Sequence, residues 1–174
     1  MDAEKSNLDS GDSLPNKDKV LRIVLNTERD RRNKIIPAIR CFTLSAVDKI
    51  EGFKLSVDWD QKTPPEETLI RVGLTFRGSG PEYKDHSNRE VFAINIDFLR
   101  GLDGIIDVIY NPIFNDPPIN GRPNNIAHSL VEFRKEDYDQ YEAQIFTEIR
   151  SYAMNSKLIV DMNFVNEQVT NLRV

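Results

Sequence analysis

The chain has a single cysteine, Cys41, and only two histidines, His86 and His128, in 174 residues. One thiol excludes an internal disulfide and a zinc site built from several cysteines, and it fits a protein of the reducing cytoplasm. The two histidines have no metal-ligand spacing around them, so neither a metal nor another cofactor is expected. No apolar run approaches the roughly 20 residues that a membrane helix needs, and no segment has the layout of a secretory signal, so membrane insertion is not expected. Positive charge is in deficit: 23 Lys+Arg against 28 Asp+Glu gives 23 − 28 = −5. Phosphate backbones are bound by concentrated basic surfaces, and nucleic acid is therefore an unexpected partner.

What is present reads as an α+β protein. Residues 1–19 mix Asp, Ser, Asn and Lys with few apolar side chains, and they are predicted to be a disordered tail. Residues 20–174 then form a single α+β domain. Val20–Leu25 is apolar and followed by the charged run Glu28–Lys34; its period fits either a strand or a short helix. Four segments alternate as half-buried strands do. The first runs from Ile36 through Phe42 to Leu44, and the second is Phe53–Trp59. The third has Ile70, Val72, Leu74 and Phe76 on one side, and the fourth has Phe92, Ile94, Ile96 and Phe98. Connectors rich in Pro and Gly, too short for parallel crossovers, predict an antiparallel meander of four strands.

The second half changes period. Ile105–Tyr110 is short, apolar and ambiguous, and residues 111–125 hold four prolines and read as a loop. Tyr138, Tyr141, Ile145, Ile149 and Tyr152 recur at spacings of three and four, which predicts a long helix from about Glu136 to Met154. The closing stretch from Leu158 reads as a strand leading into a short terminal helix. The economical packing places the long helix on one sheet face.

Few residues suggest chemistry. Asp58 and Asp60 are two apart on a predicted strand, so their carboxylates share a face. Such a pair suits a cation, acid–base work or an acidic docking face, and also a plain solvated edge. Arg77–Pro81 (RGSGP) has glycines like a phosphate-cradling loop, but no helix follows it, so a turn is the reading. Ser87, Ser129 and Cys41 lack any nucleophile context. His86 falls in a polar loop, and His128 is placed at or near a helix start. The basic cluster Arg29, Arg31, Arg32 and Lys34 lacks the neighbouring aromatics of a stacking platform. No catalytic set emerges, and the chain is not expected to be an enzyme.

Several stretches resemble the SecB family of protein-export chaperones. Phe53-Lys-Leu-Ser-Val-Asp58 and Ile70-Arg-Val-Gly-Leu-Thr-Phe76 resemble the family's second and third strands, and Phe92-Ala-Ile-Asn-Ile-Asp-Phe98 its fourth. Ile145-Phe-Thr-Glu-Ile-Arg150 followed by Leu158-Ile-Val-Asp-Met-Asn-Phe164 resembles its helix and closing segment. The crossover departs from the family, with NDPPINGRP where the family is glycine-rich. The resemblance covers about Ile35 to Val169. It implies a holdase that binds unfolded or pre-secretory polypeptide without ATP and assembles as a dimer or tetramer. It also implies client grooves lined by aromatic side chains, for which Phe42, Trp59, Phe76 and Phe92 are candidates, and an acidic face to which Asp58 and Asp60 could contribute. Core packing is the competing reading for each of those rings. The competing class of function is a non-enzymatic interaction protein, such as an antitoxin, an immunity protein or a regulatory factor, binding one folded partner.

Overall fold

Val20 and Val24 are buried on one side of their strand and Leu21 on the other, so this segment lies inside a sheet that is covered on both faces. The computed structural model describes residues 7–25, 28–29, 35–36, 42, 44–77, 80–83, 89–114, 124–136 and 138–172. Its strands are β1 (Lys19–Leu25), β2 (Glu28–Arg29), β3 (Ile35–Ile36), β4 (Lys54–Trp59), β5 (Leu74–Arg77), β6 (Gly80–Tyr83), β7 (Arg89–Asn95), β8 (Ile105–Tyr110) and β9 (His128–Phe133). Its helices are α1 (Ala46–Ile50), α2 (Pro65–Gly73), α3 (Ile96–Arg100), α4 (Tyr138–Ala153) and α5 (Met162–Leu172). The main sheet has five antiparallel strands in the order β7-β1-β4-β9-β8, and β2-β3 and β5-β6 form separate two-stranded ribbons. None of the helices among the described residues is long and apolar enough to cross a membrane.

The α+β class stands, but the four-stranded meander is corrected. β1 pairs with β4 and β7, both distant in sequence, so the strands do not follow one another across the sheet. Of the expected strands, Phe53–Trp59 is present as β4, and only residues 92–95 of Phe92–Phe98 are strand, at the end of β7. The segment Ile70–Gly73 is helix instead. Pro65 occupies the first turn of α2, where its missing N–H costs nothing, with Glu66 and Glu67 beside it and Arg71 in the last turn. Leu69, Ile70 and Gly73 are buried whereas Val72 is 44% exposed, a helical pattern that the alternation of Ile70, Val72 and Leu74 had imitated. Ile96 and Phe98 likewise belong to α3 rather than to a strand. His128, placed at a helix start by its sequence, opens β9. Of the first expected strand, residues 37–41 and 43 lie outside the described residues, as do His86, Arg31, Arg32 and Lys34; Ile35–Ile36 form β3.

Helices cover both faces. On one side α3 and α4 deliver Ile96, Leu99, Ile145, Phe146 and Ile149 onto Val20, Val24, Leu55, Trp59 and Val131. Tyr138 joins this cluster with its ring edge-on to Phe53 and Phe133, at centroid distances of 5.3 and 5.5 Å. Its hydroxyl accepts from Leu44 N at 3.3 Å and donates to Glu142 Oε1 at 3.2 Å, so this buried phenol is satisfied. On the other side Leu69 and Ile70 of α2 and Val165 and Val169 of α5 pack on Leu21, Val91 and Ala93. Asp161 caps α5, its carboxylate accepting from Asn163 N and Phe164 N, while its own N–H donates to Glu66 Oε1 of α2.

The predicted tail is corrected from Asn7 onward, where description begins. Leu14 is 1% exposed in the α4-side core, and Asp18 accepts a 3.0 Å hydrogen bond from the buried Trp59 Nε1. Gly11 N and Leu14 N donate to Tyr110 O and Val108 O, and Tyr110 N donates to Asp12 O. Few apolar side chains suffice here because the backbone itself pairs with the outer edge of β8. Asp107 on β8 accepts from Ser13 and from Arg100. Burial would raise the Asp107 carboxyl, but these hydrogen bonds outweigh it and hold it below the usual carboxylate range. The opposite edge is covered in the same way: Ala93 N donates to Ser156 O and Leu158 N to Val91 O, placing residues 156–158 against β7. An exposed edge invites pairing with another chain, and both edges here carry a segment of the chain itself.

Candidate functional site

β1 pairs with β7 along seven residues but with β4 over only Val20–Leu21. Beyond Leu21 the two strands separate, and Arg22 Nη1 donates to the Ser56 carbonyl at 2.5 Å where a ladder bond would have been. Next to this split, on the face that carries α2, lies a cleft of about 500 Å³. Its floor is made by the alternate residues of β4 and β9 that point away from α4, Ser56, Asp58 and His128, with Asp58 and His128 directly opposite each other.

The polar groups of the floor are tied together. Asp58 is 7% exposed, and each of its oxygens is engaged: Oδ2 accepts from Arg71 Nη2 at 2.5 Å and Oδ1 from Asn125 Nδ2 at 2.8 Å. Arg71 reaches down from the last turn of α2 and also touches Thr68 Oγ1 at 3.4 Å. Its Nε is buried and has no hydrogen-bond partner among the described residues. His128 Nδ1 lies 2.6 Å from the Asn111 carbonyl, which can only accept, so the proton sits on Nδ1. Nε2 is then an acceptor, 3.2 Å from Ser56 Oγ. Burial pushes the imidazole below its usual value, and Arg71 adds to this, against the Asn111 carbonyl and Asp58, which pull it up. His128 is neutral at pH 7 as a result. Arg22 and Arg89 complete the charged lining, and Val72, Leu74 and Ile113 supply apolar wall.

The residues singled out from sequence fall elsewhere or play other parts. Phe42, Trp59 and Phe92 are 0%, 1% and 2% exposed and belong to the α4-side core, so as free rings they offer no groove to a client. Phe76 lies on β5, and its side chain is outside the described residues. Asp58 and Asp60 do not form an exposed acidic face. Asp58 is buried under Arg71, while β4 ends at Trp59 and half-buried Asp60 accepts from Lys19 N at 3.2 Å. Among the described residues no group of three or more His, Cys, Asp or Glu is arranged to hold a metal ion. Sequence reasoning missed Ser56, Arg71, Asn125 and His128 as one cluster. The only local signal was the polar side of β4, which a solvated face would show equally well.

Such a cleft has the form of a binding site: a recess in one face of a sheet, fixed polar groups at its base and apolar walls. Compared with protein-family models, curated proteins and solved structures, the chain matches none.

Proposed function

We propose that this chain is a non-enzymatic binding protein of the cytoplasm that engages one dedicated partner through the cleft between β1 and β4. The observation that carries the reading is the pre-assembled base of that cleft, where Asp58 holds Arg71 and Asn125 in place before anything binds. Preorganised polar groups lose little freedom on association, which favours a specific partner over a succession of unrelated ones. The reducing compartment is supported by the sparing use of cysteine, one in the whole chain. Ser56 is exposed on the cleft floor, so Ser56→Trp fills the recess without disturbing the core. The variant is expected to melt as the parent does while losing the partner that the parent retains in affinity capture from cell extract. A partner captured equally by both would sink the reading.

A SecB-like holdase is the second reading, supported by large apolar side chains on the surface: Ile159 is 97%, Ile50 84% and Phe114 70% exposed. It carries with it a homo-oligomer, dimer or tetramer, and unfolded polypeptide as the client. Suppression of aggregation without ATP by a particle near four times 20.0 kDa would put this reading in place of the first.

A further inference from the structure

We propose that Ser56 is a nucleophile with His128 as its general base, and that the cleft transfers an acyl group from a small carboxylic ester onto Ser56 Oγ. The inference goes beyond the partner reading: the recess is also where the chain is covalently modified, carrying one acyl group, which asks for no turnover. Serine is a weak nucleophile until a base within hydrogen-bond reach takes its proton, and that base needs a third group to orient it. All three parts meet here. Ser56 Oγ lies 3.2 Å from His128 Nε2, and His128 Nδ1 lies 2.6 Å from the Asn111 carbonyl. That carbonyl keeps the proton on Nδ1 and leaves the Nε2 lone pair to the serine hydroxyl. Ser56 is exposed whereas His128 is buried, so the nucleophile is open to a reagent and its base is shielded from water. The two residues stand on adjacent paired strands, β4 and β9, so the sheet itself holds them at this separation.

In the step, Ser56 Oγ bonds to the ester's carbonyl carbon as its proton passes to His128 Nε2. Collapse of the tetrahedral adduct breaks the bond to the alcohol oxygen, which takes that proton and leaves as the free alcohol. The imidazolium formed in between is favoured by Asp58 on β4 and opposed by Arg71 on α2, and Arg22 of β1 and Arg89 of β7 also line the cleft. Burial holds His128 neutral at pH 7, the form that can accept a proton. The negative charge that develops on the carbonyl oxygen calls for an N–H donor. Alternate N–H groups of a strand point to the same side, and Asp60 N, just past β4, donates toward β1 at Lys19 O. Ser56 N shares that side, but β1–β4 pairing stops at Leu21–Asp58, so among the described residues no paired strand residue stands opposite it. The nucleophile's own N–H thus opens into the split. Val72, Leu74 and Ile113 offer apolar wall to the acyl chain.

The test is incubation of the full chain with 4-nitrophenyl acetate and 4-nitrophenyl butyrate, read by intact mass and by fragmentation of the modified peptide. One acyl group is expected on Ser56. Ser56→Ala, a change at an exposed side chain, should remove that label, and His128→Gln should slow it about a hundredfold or more. In the parent the rate should fall as pH drops and His128 takes up its proton, a readout that depends on no variant folding. A label that forms in Ser56→Ala at the parent's rate, on His128 or on a lysine, overturns the proposal, as does a rate that is flat from pH 8 to pH 5. If Ser56 is not acylated while Ser56→Trp still abolishes partner capture, the nucleophile inference falls and the binding reading survives. If Ser56 is acylated while Ser56→Trp captures normally, the binding reading falls and the nucleophile stands.

Discussion

Asp58 shows how burial changes the meaning of a residue. An exposed carboxylate on a strand would be worth little in an ion pair, but this one is 7% exposed and faces a guanidinium that is itself mostly covered. Removing one partner leaves the other as an uncompensated charge. Asp58→Ala is therefore expected to destabilise by about 3–5 kcal/mol, and the double variant Asp58→Ala/Arg71→Ala should be less destabilised than the sum of the two singles. Urea denaturation of all four proteins checks this. His128 makes a prediction of opposite kind. Its folded form resists protonation, whereas in the unfolded chain it takes up a proton near its ordinary value of about 6.5. The stability it contributes is thus fully present above that value and lost as pH falls toward and through the lower folded value. Melting temperature measured from pH 8 to pH 5 should drop for the parent, and His128→Gln should remove that part of the slope.

At the level of elements, the segment before β1 and helix α2 are where pattern and packing part company. Residues 7–19 are held by backbone pairing to β8 and by the buried Leu14, with Leu8 partly buried against the same core, so Leu14→Ala should cost about 2–5 kcal/mol. A chemical melt unchanged by that substitution would return the segment to a dispensable tail. In α2 the two apolar neighbours differ sharply: Leu69 is 0% exposed and Val72 44%. Leu69→Ala should cost about 2–5 kcal/mol and Val72→Ala no more than about 0.5 kcal/mol. Were this segment the alternating strand that Ile70, Val72 and Leu74 suggest, Val72 would be the costly position. Gly104, with φ +84°, is a further constraint on packing between elements. A Cβ there would come within 3.1 Å of Ile145 Cδ1 and 3.2 Å of Tyr141 Cβ, which is the close approach that lets the turn before β8 lie against α4.

For the molecule as a whole, the two apolar clusters share their strands. β1 gives Val20 and Val24 to one side and Leu21 to the other, and β7 divides Phe92 and Ile94 from Val91 and Ala93 in the same way. Neither helical layer has a sheet of its own to remain folded on. Unfolding is expected to be a single cooperative transition, with Trp59 fluorescence, which reports the α4 side, coinciding with far-ultraviolet circular dichroism, which reports all helices. Separate transitions would show that α2 and α5 detach independently. With both sheet edges covered by the chain's own segments at 11–14 and 156–158, the split between β1 and β4 is, among the described residues, a place where the sheet's polar floor lines a cleft.

The sequence by itself determined the α+β class, the strand read as Phe53–Trp59 and found as Lys54–Trp59, and the helical stripe of Tyr138, Tyr141, Ile145, Ile149 and Tyr152, of which Tyr141 and Tyr152 are only partly buried, because each writes its burial into a local period on one face. It left Val20–Leu25 ambiguous because a strand with packing on both faces needs no alternation, and Ile105–Tyr110 because a register shift between Ile105 and Asp107 breaks the period and leaves the apolar Ile106 57% exposed. It misread Ile70–Gly73, because three apolar residues at alternate positions fit a strand until the Pro65 start and the exposure of Val72 are known. Strand order and the cleft were decided only by tertiary structure. Asp58 is 67 residues from Asn125 and 13 from Arg71, and Ser56 is 72 from His128. No local pattern encodes that these polar groups meet, since what brings them together is the pairing of β4 with β9 and the docking of α2 above them.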